Sequence, residues 1–105
     1  MEMSKIYEIF IQDEWNNLTL MGFYNHLDDS IKDINNFIHI YCEGRYQLSE
    51  GMLKEYPGTY GSCIDVSLGD LFNLYEQDKQ EDIDEIGCVM IRGFILDLGE
   101  LLENV

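Results

Sequence analysis

Residues 5–11, KIYEIFI, alternate as a strand does: Tyr7, Ile9 and Ile11 fall on one face, Ile6 and Phe10 on the other. The acidic, Asn-rich stretch Asp13-Glu14-Trp15-Asn16-Asn17 has the composition of a hairpin turn. Leu18 to Tyr24 then reads as the returning strand. Beyond it the period changes. Leu27, Ile31, Ile34, Ile38 and Tyr41 recur at helical spacing, with Asp28 and Asp29 in the first turn, where the helix dipole favours acids. Gly44 is a natural stop, so the first 43 residues predict a ββα unit.

Downstream, Ser49 to Glu55 reads as a short helical turn ended by Pro57, and Gly58 to Gly61 as loop. Cys63 to Leu68 alternates as a strand, with Ile64, Val66 and Leu68 inward and Asp65 and Ser67 outward. Leu68, Leu71, Phe72 and Tyr75 suggest a short helix, with Ser67 and Asp70 placed as a capping box places them. The segment EQDKQEDIDE (residues 76–85) holds six acids against Lys79 and is expected to be exposed. Ile86 to Ile91 reads as a buried strand, and Phe94, Ile95, Leu98, Leu101 and Leu102 as a C-terminal helix, weakened by Gly87, Gly93 and Gly99. The expected fold is a small single α+β domain spanning residues 1–105, helices packed on a mainly antiparallel sheet.

Composition bounds the function. Apolar residues make up 46% and aromatics 12%, which is core material and excludes a disordered acidic tail. The formal charge is -15, from 21 acids against six bases. Solubility alone asks for about 2–8 net charges, and the surplus destabilises the compact state by self-repulsion. A basic partner is the expectation. Clustered Lys and Arg are missing, so direct nucleic-acid binding is disfavoured. No apolar run approaches membrane-spanning length and no signal peptide is visible, so the expected setting is the cytoplasm of a bacterial cell. Twelve Ile, seven Asn and no Ala suit an AT-rich genome.

Tests for chemistry fail in turn. Asp82, Asp84 and Gly87 match a calcium loop at positions 1, 3 and 6, but Ile86 and Gly93 stand where two further ligands belong. His39 and Cys42 form one ligand-like pair that Cys63 and Cys88 would have to complete, whereas structural zinc sites come as two close pairs. There is no nucleophile elbow, P-loop or dinucleotide fingerprint. The three cysteines are widely spaced and read as free thiols, and a strongly negative field raises a thiol rather than activating it. No enzyme activity, metal or cofactor is expected.

A short, acidic, single-domain chain of this composition resembles the phage proteins that inhibit bacterial defence nucleases, anti-CRISPR and anti-restriction DNA mimics among them. The resemblance is of size, charge and composition over the whole chain; it implies an inhibitor that occupies a basic nucleic-acid-binding surface. Immunity proteins of nuclease toxins share these properties. The candidate contact residues are Glu76, Asp78, Glu81, Asp82, Asp84 and Glu85, with Asp28, Asp29 and Asp33 as a second patch. Acids four apart on a helix lie about 5–6 Å from one another, a spacing a phosphate mimic can use. Reversing Asp82, Asp84 and Glu85 together is expected to abolish binding without unfolding. A non-enzymatic assembly protein, self-associating through an apolar patch, is the alternative from another class; the charge opposes it unless the acids lie away from the contact.

Overall fold

The computed structural model describes residues 5–56, 58 and 60–97. Strands β1 (Lys5–Gln12) and β2 (Leu18–Tyr24) form the expected antiparallel hairpin. Its turn is built by Asp13, whose carboxylate accepts the backbone N–H groups of Trp15 and Asn17 at 2.9 Å, while Asn16 takes the left-handed conformation that Asn tolerates. A bulge at Met21 separates the pairs Phe10↔Leu20 and Ile9↔Gly22. A 3-10 turn, Leu27–Ser30, leads into α1 (Ile31–Cys42), which ends on Glu43 in the left-handed conformation just before Gly44.

Strand β3 (Ile64–Ser67) and short helix α2 (Leu68–Leu71) follow, with Ser67 as the N-cap accepting the Gly69 N–H. Short helices α3 (Leu74–Gln77) and α4 (Gln80–Asp82) and a π-helical turn, Ile83–Gly87, form an arm before β4 (Met90–Asp97). The antiparallel sheet has the order β2-β1-β4-β3. β4 is central and pairs with β1 along its whole length, from Gln12↔Met90 to Lys5↔Asp97. The architecture is α+β.

Two expectations are corrected. Phe94 and Ile95 belong to β4, not to a helix: β1 supplies a full-length partner, and Ile91, Gly93 and Ile95 alternate toward the core against Ile11, Ile9 and Tyr7. Leu98, Leu101 and Leu102 lie outside the described residues. Ile86 and Gly87 close the π-helical turn, so the strand starts only at Met90. Ser49 to Glu55, expected as a short helical turn, holds a single turn around Glu50 and Gly51, closed by the Met52 N–H on the Ser49 carbonyl. That segment is pinned by Asn35, which exchanges two hydrogen bonds with the Leu48 backbone at 3.0 and 2.8 Å, leaving Leu48 and Leu53 buried.

The core lies on one face of the sheet. Ile9, Ile11, Ile64 and Ile91 are fully buried beneath Ile34 and Ile38 of α1. Each such side chain contributes roughly 1.5–3 kcal/mol of burial. Gly93 sits among them without a side chain because a Cβ there would stand 2.9 Å from Ile9 Cδ1 and 3.1 Å from Ile64 Cδ1. The other face of the sheet has Ile6, Phe10, Leu18, Leu20, Phe23, Phe94 and Leu96 on it, and no helix of the described residues covers it. Leu18, Leu20 and Phe23 remain 56%, 46% and 55% exposed.

Candidate functional site

Because β4 begins opposite Gln12, the hairpin tip that follows Gln12 and the arm that precedes β4 meet at one end of the molecule. α1 runs toward the same end, where burial, and then the charges of Asp13 and Glu14, raise the Tyr41 phenol above its ordinary value. This end gathers the arm's acids with Asp13, Glu14 and Glu43.

The arm is anchored by its own side chains. Leu74 and Ile86 are fully buried, and Tyr46 stacks on Phe72 at 5.3 Å between ring centroids. Gly87 closes the arm: its carbonyl accepts hydrogen bonds from Tyr75 Oη, at 2.7 Å, and from Ser67 Oγ. At the foot, Arg45 Nη1 stands 3.0 Å from Asp82 Oδ1 and Nη2 stands 2.6 Å from Glu85 Oε2. Tyr46 Oη donates to Asp82 Oδ2 at 2.6 Å, which raises the Tyr46 phenol, and Lys79 Nζ sits 5.8 Å from the centre of the Tyr46 ring.

The six acids of this segment therefore separate into two groups. Asp82 is 8% exposed and serves the foot of the arm; Glu85 is half-buried and paired. Glu76, Asp78, Glu81 and Asp84 are exposed, and Asp84 accepts a hydrogen bond from Gln80 Nε2 at 2.9 Å. The expectation that the whole segment is exposed is corrected at Asp82. Reversing its charge in a triple variant reports on folding as well as on contact.

The second patch stands at the opposite end of α1, about 18 Å away for twelve residues at 1.5 Å each. The structure does not bring the two patches together. Asp29 and Asp33 are exposed and Asp28 is half-buried; Asp28 Oδ1 accepts the Gly51 N–H at 3.0 Å and Asp33 Oδ2 accepts from Tyr24 Oη at 2.7 Å. Asp28, Asp29, Lys32, His39 and Glu50 line an open cleft of about 630 Å³ between α1 and the loop that follows it.

Tyrosine–carboxylate pairs predict an alkaline limit to stability. The hydrogen bond to Glu55, then burial, pushes Tyr7 up from 10.0 to about 12; burial, then the bond to Asp33, raises Tyr24. Their folded pKa values lie above the unfolded ones, so the stabilisation is complete below about pH 10 and is lost as pH rises through the folded values. The urea midpoint is expected to fall between about pH 9 and about pH 11.5, and less so in Tyr7→Phe/Tyr24→Phe. Equal alkaline slopes in the two proteins would refute this assignment.

Among the described residues no three His, Cys, Asp or Glu side chains gather as metal ligands do. Cys63 is half-buried, and burial and Glu55 push its thiol up, away from the thiolate; Cys88 is exposed. His26 precedes the 3-10 turn and His39 lies on the exposed side of α1. No helix of the described residues is long and apolar enough to cross a membrane. Sequence reasoning missed Arg45 and Tyr46, which sit immediately beyond the helix stop at Gly44 and carry no local signal of a partner nearly forty positions on. Comparison with known protein families, characterised proteins and solved structures returned no match.

Proposed function

We propose that this chain is a non-enzymatic inhibitor that binds a basic nucleic-acid-binding surface of a nuclease or defence effector and occludes it. The observation that carries the reading is the arrangement of charge on the arm. Its two neighbouring bases, Arg45 and Lys79, are directed at Asp82, Glu85 and the Tyr46 ring, while Glu76, Asp78, Glu81 and Asp84 remain exposed. A buried foot presents these acids on a pre-organised frame, which lowers the ordering cost of binding. The strong negative field speeds encounter with a basic surface and makes the complex salt-sensitive.

The test is capture from a lysate of a low-GC bacterium on the tagged chain, eluted in rising salt. Recovery of one basic nucleic-acid-binding protein, released by moderate salt and displaced by DNA or RNA, supports occlusion. A partner indifferent to both salt and nucleic acid removes it.

A further inference from the structure

We propose that the face of the sheet that no helix of the described residues covers is the contact surface for a second copy of this chain, forming a two-fold dimer. The proposal rests on the sheet, not on the acidic arm, and stands independently of the inhibitor reading.

The first ground is area. Three strands of seven to eight residues and one of four, about 4.8 Å apart and rising about 3.3 Å per residue, describe a face about 25 Å long over β1, β2 and β4 and about 13 Å long over β3. That is on the order of 400 Å² in projection, and more once side-chain relief is counted. A standard interface takes about 800 Å² from each partner. The face has the size of a modest stable contact, and its middle is aromatic, as interface cores are.

The second ground is charge. The strand residues on this face include two acids, Glu8 and Asp65, and one base, Arg92, in a chain with 21 acids and six bases. With two acids against one base, the face offers a basic partner little. A second copy of a chain carrying -15 meets little repulsion on so nearly neutral a face.

The third ground is the pattern at the centre. Glu8 lies opposite Phe94, and Phe10 opposite Arg92, so these four residues occupy the corners of a quadrilateral. Phe10 and Phe94 touch across one diagonal, edge to face, with centroids 6.1 Å apart. Glu8 and Arg92 stand on the other, and with Leu18 all four residues line a cavity of about 230 Å³. A two-fold axis along the phenylalanine diagonal exchanges the positions of Glu8 and Arg92. Each copy's Arg92 then meets the other's Glu8, which is the self-complementarity an isologous interface requires. Arg92 already stands beside Asp65 of its own chain, Nε 3.6 Å from Oδ1, so the exchange sets a second carboxylate beside the guanidinium.

Sedimentation equilibrium of the full chain with a thiol reductant tests the proposal; the reductant removes disulfide dimers through exposed Cys88. The expected result is a dimer of twice the 12.3 kDa chain mass that tightens as salt rises and screens the acids. Leu20→Thr/Phe23→Thr, at two exposed strand positions, is expected to weaken dimerisation at least about tenfold with unchanged circular dichroism and melting. Glu8→Arg, which sets like charges together, is expected to weaken it by a similar factor. A monomer at about 100 μM in high salt overturns the proposal and leaves the face to a protein of different sequence. A dimer that both variants leave intact overturns it too, since the contact then lies elsewhere.

Discussion

Asp82→Ala is expected to lower the unfolding free energy by about 2 kcal/mol, whereas Glu81→Ala and Asp84→Ala are expected to change it by less than about 0.5 kcal/mol. The three residues lie within four positions of one another and look alike in the sequence. Their surroundings differ. Asp82 is 8% exposed, and its two oxygens serve Arg45 and Tyr46, which follow α1 in the chain. Removing it takes a hydrogen-bond acceptor from Tyr46 and one of two carboxylates from Arg45. A charge-assisted hydrogen bond contributes roughly 1.5–3 kcal/mol. Part of that is recovered because Arg45 is half-exposed and water can reach it. Glu81 and Asp84 have water on most sides, and surface substitutions of that kind are near neutral. Urea unfolding at constant slope distinguishes the cases; equal midpoints for all three variants would mean that the foot of the arm does not hold it.

That contrast marks the boundary of what the sequence reveals. The ββα unit was legible because its periods are local: alternation in residues 5–11, then apolar residues three and four apart from Leu27 to Tyr41. Ser67 was legible as a cap because capping is a contact between neighbours. The last strand was not. Phe94 and Ile95 satisfy helical spacing with Leu98, and only a strand eighty-odd residues earlier, with its edge open, makes the extended form win. Gly93 misled for the same reason: it reads as a weak helix position, yet it is the gap that Ile9 and Ile64 fill. The candidate site divided likewise. That acids gather around residues 76–85 is plain in the composition; that Asp82 is spent on Arg45 and Tyr46 depends on packing at a sequence separation of 36. The near-neutral apolar face was invisible because its residues come from four strands, two of them beyond residue 60.

Neutralising the exposed acids of the arm is expected to weaken capture of a basic nucleic-acid-binding partner by about a hundredfold at low salt, leaving the fold intact. The variant is Glu76→Gln/Asp78→Asn/Glu81→Gln/Asp84→Asn. It keeps shape and backbone: Asp78 has a φ of 51°, which Asn accepts readily, and Asn at 84 retains an acceptor for Gln80. Four charge contacts at roughly 0.5–1 kcal/mol each amount to about 2–4 kcal/mol, and 1.4 kcal/mol is tenfold. Stability is expected to hold or rise slightly, because like charges are removed from a chain at -15. Titration at two ionic strengths supplies the sharper readout. If the arm makes the contact, the variant loses most of the salt dependence along with the affinity, since both come from the same charges. A companion variant, Asp28→Asn/Asp29→Asn, lies at the other end of α1 and is expected to bind as the unaltered chain does. Should the companion lose affinity while the arm variant keeps it, the contact sits at the far pole. Should both bind normally, with salt dependence unchanged, charge mimicry by these acids is excluded.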